Sequence, residues 1–135
     1  MTPETRTILT AAHAWLAVGP SRWCQGTYAM ASRDGQVTSD CGSWTELTQA
    51  AGAGDQLACC ASGAIALACI TRTHLINARR AYAAIDALAI HLAARGLLTI
   101  HTDDHHLHEV TGWNDRHDTR YTDVLDAFAQ LLSAP

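Results

Sequence analysis

The stretch DQLACCASGAIALACI, residues 55–70, is almost wholly apolar or small and decides the expected fold. Its apolar side chains, including Leu57 and Ile65, recur on one side, and the other side carries little polarity. A helix that is apolar on all sides is typical of a buried position. The sequence therefore predicts a mainly α fold, a compact helical bundle around a central apolar helix that begins near Asp55.

Helix signals before this stretch predict two flanking helices. Thr2 followed by Pro3 is a typical helix start, and apolar residues then recur at helical spacing until Gly19-Pro20 ends the pattern. Ser43-Trp44-Thr45-Glu46 has the form of a capping box, in which side chains satisfy backbone amides at the first turn. The helix that it starts is expected to end near residues 52–54.

Three further helices are predicted after the apolar stretch. One is expected over residues 73–95, with Thr73 as its cap and Leu75 among its inward-facing residues. A short helix is expected from residue 103 to residue 111. The last helix is expected to begin after residue 118 or 119 and to present an apolar stripe to the core.

The segment between the first two helices is the one place where the sequence favours β structure. Asp34-Gly35 lies between two short runs, residues 28–30 and 36–38, and is a typical two-residue hairpin turn. One short β-hairpin is therefore compatible with the helical fold. Because the chain shows no repeat, low-complexity tract or second domain, residues 1–135 are expected to form a single globular domain.

Composition excludes several classes of function. The 135 residues are 48% hydrophobic and 16% charged, and the formal net charge is -4 with no lysine. Such a chain offers no dense cationic patch for a phosphate backbone, so no nucleic acid partner is expected. No apolar run approaches the ~20 residues that cross a bilayer, and the first residues lack the features of a signal peptide. The expectation is a cytoplasmic protein without membrane contact.

Cys60 is the candidate catalytic residue. A cysteine in the first turn of a buried helix can be activated by the helix dipole, but it also needs a base, which the sequence does not identify. The alternative is a packed core thiol, since free cysteine is among the most buried residue types. The odd count of five cysteines favours reduced thiols over a disulfide framework.

Two aromatic and polar segments form the candidate ligand site. An amide and a carboxylate beside an indole can hold a polar molecule by hydrogen bonds and stacking. The opposite wall of that site would come from the segment around Gly26. The alternative is that the Asn and Asp cap backbone groups and the indole closes the core. The candidate ligand-binding residues are Trp23, Gln25, Tyr28, Trp113, Asn114 and Asp115.

A histidine-rich segment gives a weaker alternative, a metal site. His101, Asp104, His105 and His108 recur at a spacing that could place part of the set on one helix face. A solvated surface helix without ligand is the favoured interpretation of so polar a segment. The chain has neither C-x-x-C nor H-E-x-x-H, and no cofactor is predicted.

Three separated motifs give the chain a family resemblance. W-x-Q-G-x-Y begins at Trp23, C-A-x-G-A begins at Cys60, and W-N-D begins at Trp113. In this order they resemble an uncharacterised family of small actinobacterial and phage-associated domains, over about residues 5 to 132. The family often has a cysteine where this chain has Leu57, and the histidine-rich segment has no counterpart in it. The resemblance implies a shared architecture, because no activity is established for the family.

These patterns lead to three hypotheses for function. The first is a non-enzymatic binding module for a small polar ligand or a protein partner. The second is a cysteine-dependent hydrolase or transferase that uses Cys60 with Asn114 or Asp115 as an orienting group. The third is a structural or interaction protein whose motifs only hold the fold. The ligand and the oligomeric state are left open.

Overall fold

A computed structural model describes residues 1–101 and 104–134. Over these residues the chain forms six α-helices, one turn of 3-10 helix (Pro20–Arg22) and a three-stranded antiparallel sheet. The strands are Ala29–Arg33 (β1), Gln36–Cys41 (β2) and Gln56–Cys59 (β3). The helices are Pro3–Leu16 (α1), Trp44–Gly52 (α2), Ala61–Ala68 (α3), Ala78–Ala94 (α4), Leu107–Asn114 (α5) and Tyr121–Ser133 (α6).

The predicted hairpin is confirmed, and it belongs to a larger sheet than expected. β1 lies in the middle, with β2 on one side and β3 on the other. The β1–β2 turn is made by Asp34 and Gly35, whose φ angles are 53° and 80°. Two consecutive positive φ values match the right-handed twist of a hairpin, which explains the Asp-Gly pair.

The prediction of one helix from Asp55 to Ile70 is wrong. Residues 56–59 are strand β3, Cys60 is the N-cap, and the helix that follows has only eight residues. β3 pairs with β1 so that Ala29 lies opposite Cys59. A fully buried strand and a buried helix share the same apolar composition, so periodicity alone could not separate them.

The start of α4 also differs from the prediction. The N-cap is Asn77, whose side chain accepts a hydrogen bond from Arg80 N at 3.2 Å. Thr73 lies in a tight loop that is closed by a bridge between Ile70 and Ile76. Leu75 was expected to face the core, but it lies in this loop and is 65% exposed. The residues that the sequence pattern predicts as the first turn of this helix thus form the loop before it.

The other helix boundaries depend on local caps. Thr2 accepts a hydrogen bond from Thr5 N at 3.1 Å, and Ser43 accepts one from Glu46 N at 3.2 Å, as the sequence predicts. α5 begins at Leu107 after non-helical residues 104–106. Its predicted start at Asp103 lies outside the described residues.

The core lies where α1 packs against α3, α4 and α6, and where α3 packs against α5. Its large side chains come from the helices, Leu9, Ile65, Leu88 and Phe128 among them. The inner face of the sheet adds mainly small residues such as Ala29 and Ala31, and Leu57 lies opposite Ala31 and packs against the core. Small side chains let the sheet and α3 approach closely. No described helix is both long and apolar enough to cross a membrane.

Gly63 marks the closest approach between the sheet and α3. A Cβ atom at this position would lie 2.0 Å from the carbonyl oxygen of Tyr28 and 2.9 Å from its carbonyl carbon. Cys60 N donates to the same oxygen at 3.1 Å. The first turn of α3 is therefore held against the chain that enters β1, and only glycine fits there.

We expect Gly63→Ala to destabilise the protein, although alanine is the better helix former. The clash with backbone atoms should cost about 1 to 3 kcal/mol, the range for overpacking a tight site. The matched control is Gly112→Ala in α5, where no atom lies within 4 Å of the added Cβ. That variant should gain up to about 1 kcal/mol from helix propensity. Urea denaturation measures both free energies of unfolding, and a stabilised Gly63→Ala would contradict the described packing.

Candidate functional site

All three motif segments meet in the folded protein. The segment from Trp23 to Tyr28 follows the 3-10 helix, and Trp113-Asn114-Asp115 forms the C-terminal end of α5. Trp113 and Asn114 are both buried. The two segments are about 90 residues apart in the chain and are joined by side-chain hydrogen bonds. We call this set of bonds the Asn114 network.

The carboxamide of Asn114 makes four hydrogen bonds and is fully buried. Its Oδ1 accepts from Trp23 Nε1 at 2.8 Å and from Ala61 N at 3.0 Å. Its Nδ2 donates to Cys24 O at 3.1 Å and to Asp115 Oδ1 at 3.0 Å. A primary amide has two donors and room for two acceptor contacts, so its capacity is used within the protein.

Gln25 and Asp115 extend the network to the backbone. Gln25 Nε2 donates to Asn114 O and Arg116 O, both at 2.8 Å. These carbonyls lie at the C-terminal end of α5, where helical partners run out. Asp115 Oδ1 also accepts from Gly26 N at 3.0 Å. Each polar side chain thus satisfies a helix end or a turn.

The network also caps the N-terminus of α3. Ala61 N belongs to the first turn of that helix and would lack a partner without Asn114. Cys60 Sγ accepts a hydrogen bond from Gly63 N at 3.2 Å in the same turn. The C-A-x-G-A motif therefore supplies a helix start that is capped partly by α5.

The rings of Tyr28 and Trp113, two of the predicted ligand-binding residues, make no hydrogen bond in the Asn114 network. Tyr28 packs against Trp44, with ring centroids 6.4 Å apart. Trp113 is buried against the core and lines a cleft of about 210 Å³ with Arg95, Arg116 and Asp118. The structure thus joins Trp23, Gln25, Asn114 and Asp115 by direct hydrogen bonds, and it places the rings of Tyr28 and Trp113 in separate surroundings.

Cys60 is a sealed thiol, and the geometry does not favour its predicted catalytic role. Its side chain is fully buried, and this burial raises the pKa of the thiol to about 12. No histidine ring hydrogen-bonds to its sulfur in the described part of the chain. At neutral pH such a group is neither a thiolate nor accessible to substrate.

The histidine-rich segment is tied to α4 and α5. His105 Nδ1 lies 2.9 Å from Asp86 Oδ2, and the ring stacks on Tyr82 at a centroid distance of 4.2 Å. His101 N donates to Glu109 Oε1 at 3.3 Å. Within residues 1–101 and 104–134, no group of three or more His, Cys, Asp or Glu could hold a metal ion. The structure thus does not assemble His101, Asp104, His105 and His108 into a ligand set.

A concave surface larger than the cleft beside Trp113 lies on the outer face of the sheet. This outer groove has a volume of about 800 Å³ and is open to solvent. Its floor includes Met30 and Ser32, which alternate along β1 with the buried Ala29 and Ala31. No sequence motif indicated this groove. The alternation of buried and partly exposed residues along β1 was a signal for an outer face. The groove also requires β3, which the sequence pattern predicted as part of a helix. Its lining residues are Trp15, Val18, Ser21, Arg22, Met30, Ser32, Gly35, Val37, Asp55, Gln56, Leu57 and Ala58.

Comparison with known proteins identifies a family and no activity. A family model described as "Family of unknown function (DUF6197)" matches residues 1–132. No curated protein and no solved structure matches the chain.

Asn114→Ala should destabilise the protein far more than the same change at Asn77. It leaves Trp23 Nε1, Ala61 N and Cys24 O without their partner, at about 1 to 3 kcal/mol for each buried group. Asn77 caps α4 at the surface through one bond. Its replacement should cost about 1 kcal/mol. Denaturant unfolding followed by circular dichroism measures both, and equal losses would show that the Asn114 network is not a main support of the fold.

Proposed function

Since the chain belongs to DUF6197, a family of unknown function, we propose a role from its own surface: a non-enzymatic module that binds a segment of a partner protein. The outer groove is the binding site in this proposal. The observation that carries it is the size and composition of that groove, about 800 Å³ with apolar side chains exposed at its border.

The border of the groove has the character of an interaction surface. Val18 and Val37 are 69% and 66% exposed, and both line the groove. Single exposed apolar residues are ordinary, but a group of them around one concavity is typical of a binding surface. Together with Met30 they offer apolar contact area to a partner.

The shape of the groove favours a chain segment over a small ligand. Sites for small molecules bury about 70 to 90% of the ligand surface. This groove extends over all three strands and stays open to solvent along one side. An extended peptide can lie along such a surface and leave its outer side in water.

The Asn114 network disfavours the alternative site, in which a polar ligand binds at the motif residues. A polar ligand at Trp23, Gln25, Asn114 and Asp115 would have to replace hydrogen bonds that the protein already makes. Breaking them would leave buried helix ends unpaired, at a cost of about 1 to 3 kcal/mol each. The hypothesis of a small polar ligand at these residues is therefore weaker than that of a partner in the outer groove.

The remaining hypotheses keep less support. A cysteine-dependent hydrolase or transferase requires Cys60 to be exposed, and it is sealed. A purely structural protein would need no binding groove, and the experiment below separates that hypothesis from ours. A cytoplasmic location, an actinobacterial or phage association and the absence of a nucleic acid partner stay predictions.

Selection and mapping test the proposal. A phage-displayed library of random dodecapeptides is selected against the full chain, and the enriched peptides are synthesised. At saturating peptide, hydrogen-exchange mass spectrometry should show slower exchange at residues 15–22, 30–32 and 56–58. Exchange in α5 and α6 should stay unchanged.

Two matched variants give the control. Val37→Asp should weaken peptide binding at least tenfold, or about 1.4 kcal/mol, because it puts a charge on the apolar border. Leu75→Asp changes a residue of the same exposure outside the groove and should leave affinity unchanged. Failure to enrich any binding peptide, or protection at the cleft beside Trp113 instead, would contradict the proposal.

A further inference from the structure

We propose that the outer groove recognises an extended segment in which an Asp or Glu side chain accompanies apolar residues, with Arg22 stacked on Trp15 as the group that binds the carboxylate. This inference rests on the proposed function and deepens it, since it specifies the chemistry of the partner. It follows from the charges in and around the groove.

Arg22 is the cation in the groove that has no counter-ion among the described residues. Its guanidinium carbon lies 4.7 Å from the centroid of the Trp15 ring. The described residues provide neither a carboxylate within 4 Å nor a hydrogen bond to its side chain. The side chain is half-buried and lines the groove. An arginine without a counter-ion in a concave surface is positioned to bind an incoming anion.

The stacking on Trp15 prepares Arg22 for a carboxylate. An aromatic face holds the guanidinium plane by a cation–π contact and leaves the N–H edge free. That edge matches the two oxygens of a carboxylate in a bidentate pair. Because the side chain is already ordered, less conformational entropy is lost when the pair forms.

The acidic residue in the groove does not oppose this binding. Asp55 accepts hydrogen bonds from Thr38 Oγ1 at 2.8 Å and from Arg33 Nε at 2.9 Å. The Thr38 hydrogen bond and the Arg33 guanidinium hold the pKa of Asp55 below its ordinary value. Its charge is thus compensated within the protein, and its side chain is only 6% exposed. Arg22 remains as the uncompensated charge among the described lining residues.

A second carboxylate, that of Asp40, influences where along the groove the acidic side chain of the bound segment lies. Asp40 is exposed on β2 and pairs with Met30, so it lies on the outer face of the sheet, but it does not line the groove. The negative charge of Asp40 repels an acidic side chain of the partner at the end of the groove near β2. The acidic residue of the partner is therefore expected near Arg22, and the apolar residues near Met30 and Val37.

A second copy of this chain fits the groove less well than a peptide segment. A symmetric contact brings the same patch of both copies together. Two concave grooves that face each other enclose space instead of filling it. A nucleic acid is disfavoured by the formal net charge of -4. An extended acidic and apolar segment satisfies shape and charge together.

The experiment compares peptide twins that differ in one functional group. The most enriched peptide from the library that contains Glu or Asp is synthesised with blocked ends, together with its Gln or Asn twin. Fluorescence anisotropy measures both affinities for the full chain. The acidic peptide should bind at least tenfold tighter at 50 mM NaCl, and this advantage should shrink at 500 mM NaCl because salt screens the ion pair.

Variants then assign the difference to Arg22. Arg22→Gln should reduce the affinity of the acidic peptide to that of its twin, and Arg22→Lys should retain part of the difference. Arg72→Gln makes the same change of charge on an exposed loop outside the groove and should have no effect. The salt series on the unmodified chain keeps the test valid even if an Arg22 variant does not fold.

The outcomes separate the two proposals. Peptides that bind the groove with no acidic preference would overturn this inference and leave the proposed function intact. An absence of groove binding would overturn both. Sedimentation of the chain without peptide tests whether a second copy of the chain occupies the groove. A dimer that Val37→Asp dissociates would show that it does, and the inference would be wrong.

Discussion

The buried carboxamide of Asn114 is the interaction on which the rest of the structure depends. It connects the end of α5, the start of α3 and the segment that leads into the sheet. An amide transferred from water to an apolar interior without partners costs about 2 to 7 kcal/mol. Asn114 avoids this cost only if all three segments are in place. The network therefore favours one arrangement of the chain over looser alternatives, because a partly satisfied network is worse than an apolar core.

The position of the outer groove follows from this network. Cys24, whose carbonyl accepts from Asn114, also donates through its backbone N to Cys59 O at 3.2 Å. This contact, with the bridge between Trp23 and Cys59, covers the free edge of β3 at its last residue. At this end β3 is kept from pairing with other chains. The same segment follows Arg22, which lines the groove, so the motif residues hold the proposed binding surface without belonging to it.

Local signals accounted for the parts of the fold that could be predicted. The cap at Thr2, the turn at Asp34-Gly35 and the first turn at Ser43 each depend on neighbours within a few residues. β3 could not be predicted, because its identity comes from pairing with β1, and neither could the loop before Asn77. Trp23 and Asn114 were predicted on opposite walls of one ligand site, and in the structure their side chains are joined by a hydrogen bond. Their hydrogen bond could not be predicted from the sequence, because it joins residues 91 positions apart in the chain.

A double-mutant cycle between Trp23 and Asn114 tests the central claim most directly. Trp23→Phe removes the indole N–H and retains an aromatic ring, and Asn114→Ala removes its acceptor. Free energies of unfolding are measured for the parent, both single variants and the double variant. If the network holds the fold, the coupling energy is about 1 kcal/mol or more, within the 0.5 to 3 kcal/mol of residues in one hydrogen-bond network. A coupling energy of zero would contradict the account.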